Sequence, residues 1–353
     1  MQSGVWLPAR QTTALWSIHY LRALAALGVV LFHSLDDTGW QFNIGAAGIH
    51  LFFTISGFVI WQSTASRPVS FRPFIIARLL RIVPLYWLAT FVSVLSIFVM
   101  PGYFWQATTR PVNLVTSLLF IPHEGVSGGV FPVLYQGWTL QYEMYFYAVF
   151  AISLLAARPR RMIALAAWLA LTVAAGLAFT PRGPLLETYT NPICLEFLAG
   201  ALVAQALPAV SRWLRPGTAA LLTAGGAAGF VLADTFESRL GWLSMLALPL
   251  GTGSTVMGLV WLEQAGKMIR SPWLRFAGEA SYSTYLFQTV GFALVSALLP
   301  HIPAPVRVVL FVTAAQACGC VVFRFIERPI IGYSKALVTR RSRQAPGTEP
   351  QAA

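Results

Sequence analysis

Apolar runs of close to 20 residues recur along most of the chain, and they limit the fold more than any other feature of the sequence. About 20 residues of α-helix cross the hydrocarbon core of a bilayer. In lipid, only helices and closed barrels satisfy every backbone hydrogen bond, and the sequence lacks the period-2 alternation of barrel strands. Charged residues make up only 10% of the chain, against roughly a quarter in a soluble domain. The sequence therefore predicts an all-α, polytopic integral membrane protein.

These runs define about ten candidate membrane spans. They lie at approximately residues 17–35, 44–62, 82–101, 138–157, 162–180, 191–207, 217–234, 240–263, 281–299 and 305–326. The apolar stretch 110–122 is too short to span a bilayer and has a proline at each end, so we expect a re-entrant or interfacial segment. The first run contains Arg22 and no clear small-residue cleavage site, so we expect it to remain as a helix.

The Lys and Arg residues predict the orientation of these spans. With the N-terminus in the cytoplasm, 20 of the 24 basic residues lie on the cytoplasmic side. This asymmetry follows the positive-inside rule and predicts that both termini are cytoplasmic, in a multi-pass protein of the bacterial inner membrane. The net charge of +12 does not indicate nucleic-acid binding, because the basic residues lie between apolar runs and not along one soluble face.

Three parts of the chain are expected from this pattern. Residues 1–16 form a cytoplasmic segment, residues 17–332 a transmembrane domain, and residues 333–353 a basic, disordered cytoplasmic tail. All three cysteines lie in apolar runs. Their spacing fits neither a disulfide framework nor a metal site, so we expect small core residues and no bound metal.

Two ionisable residues, Arg22 and His33, lie within the first apolar run. Such residues are costly inside a bilayer and usually mark function. They are eleven residues apart, which is roughly 16 Å along a helix and close to a whole number of turns. The spacing places both on one side of a helix, with the cation near the cytoplasmic end and the imidazole near the outer end. Taken singly, each also fits a structural role, as a snorkelling arginine or an interfacial histidine.

A second basic feature is the pair Arg78 and Arg81, in the stretch RPFIIARLLRIVPLYWL. Residues three apart are neighbours on a helix surface. Two adjacent guanidinium groups form a fork for phosphate or carboxylate. Positive-inside topology or contact with anionic membrane lipids would explain the same pair. Pro84 and Tyr86 follow at the start of the third predicted span.

The carboxylate Glu143 lies in QGWTLQYEMYFYAVF, one to two turns into the fourth predicted span and in the same half of the bilayer as His33. A carboxylate there requires a partner, and Tyr147 or His33 could supply one. A base oriented by a carboxylate is a recurrent arrangement for activating a hydroxyl. A structural hydrogen bond to a neighbouring helix is the alternative. Asp36 and Asp37 follow His33 closely and either contact it or are loop residues.

Together these residues resemble the acyltransferase family 3, the polytopic membrane acyltransferases that modify sugars and other hydroxylated acceptors. The resemblance covers approximately residues 17–332. It rests on seven motifs in this order: LRALAALGVVLFH, GAAGIHLFFTISGF, RLLRIVPLY, WTLQYEMYFY, EFLAG, SYSTYL and ERP.

The resemblance implies roles for particular residues. It implies that acyl-CoA from the cytoplasm is the co-substrate, that no cofactor is permanently bound, and that His33 and Glu143 are catalytic. The residues that it implies for donor binding are Arg22, Arg78, Arg81 and Tyr86. The residues expected to contact the acceptor or support the site are Trp138, Tyr147, Asn191, Glu196, Ser281, Tyr282 and Gln288.

Three positions depart from the family's pattern. His19 stands where Asp is common, and Ala23 stands where Gly is common. Gln288 stands where the family often has His, which argues against a catalytic role at that position.

The reaction expected from the resemblance is O-acylation of a saccharide, such as an exopolysaccharide, an O-antigen unit or a lipid-linked sugar. The arginines hold the phosphates of the donor, acetyl-CoA in the simplest case, and His33 removes a proton from the acceptor hydroxyl. A covalent acyl-histidine relay is the alternative to direct transfer. Aromatic residues of the loop 102–137 either stack on sugar rings or form an interfacial belt.

Three other functions compete with this one. The same mechanism could acylate a small molecule or a lipid instead of a polysaccharide. A secondary transporter of an anionic solute would carry matching broken helices in two halves of the chain, and the sequence contains no such repeat. A non-catalytic membrane scaffold would tolerate replacement of His33 and Glu143.

Overall fold

The computed structural model describes residues 15–40, 43–65, 69–100, 104, 107–180 and 182–333. The predicted N-terminal segment and the predicted disordered tail lie almost entirely outside the described residues. Within the described residues the regular structure is helical, and the one β-type pairing is an isolated bridge between Glu124 and Val130. This confirms the all-α prediction.

Thirteen α-helices form the described part of the chain. They are α1 (Trp16–Asp36), α2 (Gly48–Ala65), α3 (Phe71–Ser96), α4 (Pro111–Leu118), α5 (Gly137–Ser153), α6 (Arg161–Phe179), α7 (Pro184–Tyr189), α8 (Cys194–Val210), α9 (Pro216–Thr235), α10 (Glu237–Leu240), α11 (Ser244–Gln264), α12 (Pro272–Leu298) and α13 (Ala304–Val322). A π-helical turn, Phe323–Glu327, continues α13.

Seven helical segments among the described residues are long and apolar enough to cross a membrane. They contain α1, α3, α6, α8, α9, α11 and α13. The other three predicted spans correspond to α2, α5 and α12, which carry buried polar side chains such as Thr54, Gln141 and Gln288. The chain is therefore a membrane protein, while the total of ten spans and the cytoplasmic position of both termini remain predictions.

Helix α3 begins eleven residues before the predicted span 82–101. Ser70, in the extended conformation, precedes its first turn, and Pro84 lies inside the helix. A proline is tolerated within a membrane helix, because neighbouring groups satisfy the freed backbone carbonyl. Arg78 and Arg81 are therefore part of a continuous helix rather than of a loop before it.

Helix α12 also begins earlier than predicted, at Pro272 instead of near residue 281. The hydroxyl oxygen of Ser271 accepts a hydrogen bond from the backbone N–H of Leu274, and the proline occupies the first turn, where it costs no hydrogen bond. The added turns bring Arg275 and Glu279 into the bundle.

A carboxylate from α11 fixes the start of α1. Glu263 accepts hydrogen bonds from the backbone N–H groups of Trp16 and Ser17, both at 2.8 Å, and from the Ser17 hydroxyl at 2.5 Å. A negative side chain at a helix N-terminus satisfies unpaired N–H groups and complements the helix dipole. This contact sets the depth at which the following turns of α1 lie.

Helices α1 and α12 pack side by side and run in the same direction. Gly278 lies against the backbone of His19, where a Cβ would be only 1.9 Å from the carbonyl oxygen. Three residues further along both helices, the Nε of Arg22 donates to the Oγ of Ser281 at 3.0 Å. The second contact is displaced by three residues toward the C-terminal end of both helices, so the helices are parallel. Residues displaced equally along α1 and α12 therefore lie at the same depth.

Helices α2 and α8 approach through glycines. A Cβ at Gly57 would lie 1.9 Å from the carbonyl oxygen of Phe197, and a Cβ at Gly200 would lie 1.9 Å from that of Thr54. Small residues allow such close approach of membrane helices. Gly57 and Gly200 therefore allow the backbones of α2 and α8 to pack directly against each other.

Candidate functional site

A cavity of about 610 Å³ lies inside the bundle. It begins at the end of the bundle where α1, α3 and α12 start, beside Leu15, Gln62, Arg275 and Arg328, and it extends inward between α1, α2, α3, α5 and α12. The polar side chains that line its interior are His19, Arg22, Ser56, Arg78, Arg81, Thr139, Glu143, Tyr147, Ser281, Tyr282, Tyr285 and Glu327. Six helical elements thus contribute to one polar interior.

Three arginines predicted to bind an anion meet in this cavity. Arg78 and Arg81 come from successive turns of α3, and Arg22 comes from the second turn of α1. Arg22 is held by its hydrogen bond to Ser281. The sequence placed these cations together only by depth, whereas the structure shows that they line the same space. Three guanidinium groups around one cavity can bind a multiply charged phosphate compound.

The guanidinium group of Arg78 lies among aromatic rings. Its central carbon is 5.4 Å from the ring centroid of Phe74 and 5.8 Å from that of Tyr147, which is within range for cation–π attraction. The Nε of Arg78 is buried and has no hydrogen-bond partner among the described residues. A buried unpaired donor is costly, so this group has spare capacity for an anionic ligand.

Glu143 also lines the cavity, on α5. Its carboxylate accepts hydrogen bonds from the Tyr147 hydroxyl and from the Ser56 hydroxyl, the latter at 3.1 Å. Of the two partners proposed from the sequence, the structure shows Tyr147. No contact between Glu143 and His33 is among those of the described residues, so in this structure the carboxylate organises the cavity and does not touch the imidazole.

His33 lies outside the cavity, near the C-terminal end of α1. Its ring centroid is 5.0 Å from that of Phe32 and 6.2 Å from that of Tyr135, both in edge-to-face arrangements. The sequence predicted both Arg22 and His33 on one side of α1, but only Arg22 lines the cavity. The cavity lining on α1 ends at Arg22, about three turns before His33.

The aromatic residues of the outer loop lie partly beside this histidine. Phe131 and Tyr135 pack against each other with ring centroids 4.9 Å apart and ring planes tilted by 41°, and Tyr135 contacts His33. Tyr103 and Trp105, which belong to the same predicted loop, lie outside the described residues.

Of the remaining predicted site residues, Ser281 and Tyr282 line the cavity. The Tyr282 hydroxyl donates to the carbonyl oxygen of Ile82 at 3.0 Å, which ties α12 to α3. Gln288 is fully buried on α12, beyond the end of the cavity. Its Nε2 donates to the carbonyl of Tyr285, and its Oε1 has no partner among the described residues.

Three other predicted residues have packing roles outside the cavity. The buried Tyr86 donates from its hydroxyl to the carbonyl oxygen of Ser117 at 3.1 Å, which holds the short helix α4. Trp138 packs edge-to-face on Tyr142. Asn191 accepts a hydrogen bond from the N–H of Ile193 at 2.9 Å, just before α8. The donor-binding role expected for Tyr86 thus has no geometric support in this structure.

Glu196 belongs to a separate cluster between α2, α8 and α9. His50 lies between two carboxylates, with Nδ1 2.5 Å from Glu196 Oε1 and Nε2 3.2 Å from Asp234 Oδ1. Sequence analysis missed His50 and Asp234, although an ionisable residue in the motif GAAGIHLFFTISGF was a visible signal. Their partners lie more than 140 residues away in sequence, so only the fold could show the pairing.

Glu327 is a further cavity residue whose role the sequence left open. The π-helical turn after α13 places it within reach of Ser283, whose hydroxyl donates to Glu327 Oε2 at 2.5 Å. Such turns are often found at functional sites. No group of His, Cys, Asp and Glu suited to holding a metal ion occurs among the described residues.

Apolar helices of membrane-spanning length and an internal cavity lined by arginines define a polytopic membrane protein with a cationic internal site. Comparison with known proteins specifies the class. The family model described as an acyltransferase domain matches residues 15–324, and the chain belongs to this family, acyltransferase family 3. It is therefore a membrane acyltransferase.

One relative covers almost the same length. The chain is 35% identical over 314 residues to the exopolysaccharide production protein ExoZ of Rhizobium meliloti (strain 1021). The alignment covers 87% of this chain and 96% of that protein. No solved structure matches the chain.

Proposed function

We propose that the protein is an O-acyltransferase of the bacterial inner membrane. It moves an acyl group, acetyl in the simplest case, from cytoplasmic acyl-CoA to a hydroxyl of a saccharide acceptor. The observation that carries this proposal is the convergence of Arg22, Arg78 and Arg81 in one cavity that begins at the basic end of the bundle. The similarity to an exopolysaccharide production protein supports an exopolysaccharide or its lipid-linked precursor as the acceptor.

The arginines bind the phosphate groups of the donor. Coenzyme A carries a pyrophosphate and a 3′-phosphate, and three guanidinium groups match this charge with bidentate hydrogen bonds. The unpaired Nε of Arg78 supplies one such donor. Glu143 holds Tyr147 beneath the guanidinium group of Arg78. We therefore assign to Glu143 the organisation of the donor site, in place of the orientation of His33 expected from the sequence.

The acyl end of the donor must then reach His33. Arg22 and His33 are eleven residues apart on α1, which is roughly 16 Å along the helix. The flexible pantetheine arm extends from the phosphates toward the outer half of the bundle, parallel to α1 and α12. This route delivers the thioester to the imidazole while the nucleotide stays at the cytoplasmic end.

His33 acts as the general base in a direct transfer. It takes the proton of an acceptor hydroxyl while the hydroxyl oxygen bonds to the thioester carbonyl carbon. The tetrahedral intermediate then expels the CoA sulfur, so a C–O bond forms and a C–S bond breaks. The imidazolium returns its proton to the departing thiolate, and free CoA and the acyl ester remain. Phe131 and Tyr135, packed together beside His33, offer aromatic faces to a sugar ring.

Purified protein in lipid nanodiscs, supplied with ¹⁴C-acetyl-CoA and a membrane extract containing saccharide acceptors, tests the proposal. We expect label in a glycan or lipid-linked glycan, and no transfer by His33→Ala. Label that appears only in a small molecule or a phospholipid would overturn the saccharide acceptor. If the wild-type protein transfers no label with any acceptor fraction and also does not bind acetyl-CoA, the assignment of acyl-CoA as the donor is overturned as well.

A further inference from the structure

A gap of several residues separates the cavity from His33. Arg22 lies level with Ser281, because the two are hydrogen-bonded across the parallel helices α1 and α12. Eleven residues further along each helix are His33 and Phe292, so these two lie at one depth. The cavity lining on α12 ends at Tyr285, only one turn beyond Ser281. The interval between the cavity and His33 is therefore filled by protein.

Helix α5 shows the same interval from the opposite direction. Thr139 lines the cavity, whereas Tyr135, one turn earlier, contacts the ring of His33. Gln136, which follows Tyr135 and directly precedes the first residue of α5, is buried at this level. Both helices thus place their intervening side chains at the inner end of the cavity.

Four polar residues at the end of the cavity nearest His33 are linked by side-chain and backbone hydrogen bonds, and we call them the polar plug: Gln136, Thr139, Tyr285 and Thr289. The Tyr285 hydroxyl donates to the carbonyl oxygen of Gln136 and lies 3.1 Å from the hydroxyl of Thr139. Gln136 Nε2 donates to Thr289 Oγ1 at 2.6 Å. The bonds link the N-terminal end of α5, including Gln136 just before it, to α12.

We propose that the polar plug is a gate between the donor cavity and His33, and that the amide groups of the donor's pantetheine arm open it. This inference rests on the proposed function. In the closed state the polar groups of the plug satisfy one another through hydrogen bonds. Opening leaves these groups unpaired in a low-dielectric interior. An amide-bearing chain supplies both donors and acceptors that replace them, whereas a purely apolar chain does not.

Gln288 points to an amide as the ligand. Its side chain is fully buried, one turn beyond Tyr285 and adjacent to Thr289. Its Nε2 already donates to the Tyr285 carbonyl, while Oε1 has no partner among the described residues. A buried carbonyl without a donor is destabilising. An amide N–H of the arm supplies that donor, so donor binding stabilises the open gate at this position.

The gate limits the loss of the donor to water. Until the amides of the arm replace the plug hydrogen bonds, the plug stays closed and the thioester remains in the cavity, away from water on the outer side at His33. Tyr285→Phe keeps the ring but removes the hydroxyl, and with it two hydrogen bonds of the closed plug. We expect acetyl-CoA hydrolysis in the absence of acceptor to rise at least threefold over the wild-type rate.

Tyr145→Phe is the matched control. Tyr145 lies on α5 and bonds through its hydroxyl to Thr172 and Trp168, away from the cavity. The Tyr145→Phe variant should hydrolyse and bind acetyl-CoA as the wild type does. If Tyr285→Phe does not fold, Thr289→Val removes the acceptor for Gln136 and is expected to increase hydrolysis in the same way.

The outcomes separate the gate from the proposed function. A wild-type protein that does not bind acetyl-CoA overturns both. If the wild type binds and transfers while the folded Tyr285→Phe variant hydrolyses at the wild-type rate, the gate alone is wrong. A fall in binding, transfer and thermal stability together would show that the plug is structural packing, which also overturns the gate.

Discussion

Arg22 and Ser281 are joined by a hydrogen bond of 3.0 Å between Nε and Oγ, across the interface of α1 and α12. This bond fixes the direction of the guanidinium group that α1 contributes to the cavity. It also sets the relative depth of the two parallel helices, from which the distance between the cavity and His33 follows.

The first prediction concerns donor binding by the paired arginines. Arg78→Ala should raise the Kd for acetyl-CoA by about 10- to 100-fold, the loss expected for hydrogen bonds to a charged group worth about 1.5–3 kcal/mol. Binding is measured by titration of protein in nanodiscs. Arg72→Ala is the control, because Arg72 is exposed on the same helix and does not line the cavity. Equal losses in the two variants would indicate a general effect of surface charge.

The second prediction separates chemistry from binding. His33→Ala should lower kcat by at least about 100-fold, the usual minimum for loss of a general base, and should leave the Kd for acetyl-CoA within about twofold, because His33 lies outside the donor cavity. His301→Ala, at an exposed position in the loop before α13, serves as the control. Turnover by His33→Ala near the wild-type rate would contradict the assignment of the base.

The third prediction tests the close approach of α2 and α8. Gly57→Ala places a methyl group against the carbonyl of Phe197 and should destabilise the protein by about 1–3 kcal/mol. Gly225→Ala, in α9, meets nothing within 4 Å and should not destabilise it. Thermal unfolding in detergent compares the two. A Gly57→Ala variant as stable as Gly225→Ala would show that the helices are further apart than described.

The fourth prediction concerns the cluster of His50, Glu196 and Asp234. His50→Leu leaves two largely buried carboxylates without their partner and should cost about 3–5 kcal/mol of stability. Adding Glu196→Gln removes one of the unpaired charges and should recover part of this loss. The comparison uses thermal unfolding, with activity per folded molecule as the second measurement. A double variant less stable than His50→Leu would show that Glu196 is stabilised by groups other than His50.

The sequence predicted the helical class and the approximate positions of the long helices, because apolar runs report burial in lipid directly. It predicted the starts of α3 and α12 poorly. Charged residues such as Arg78 and Arg275 interrupt an apolar run and resemble a loop, although here they face a cavity within the helix.

The site was predictable only in part. Depth along α1 follows from residue spacing, and this was sufficient to place Arg22 and His33 at opposite ends of a path. Whether that path is open depends on side chains of α5 and α12, more than 100 residues away in sequence. The plug formed by Gln136 and Thr289, like the contact of His50 with Glu196, is a tertiary contact that no local pattern reveals.

The decisive measurement is a structure of the protein with a non-transferable acetyl-CoA analogue, in which a methylene group replaces the thioester sulfur. We expect the pyrophosphate within hydrogen-bonding distance of Arg22, Arg78 or Arg81, and the acyl carbonyl beside His33, with the Tyr285 hydroxyl moved away from Gln136. An analogue bound with its phosphates away from these arginines, or with its acyl carbonyl at the end of the bundle where α1 and α12 start, would show that the proposed path of the donor is wrong.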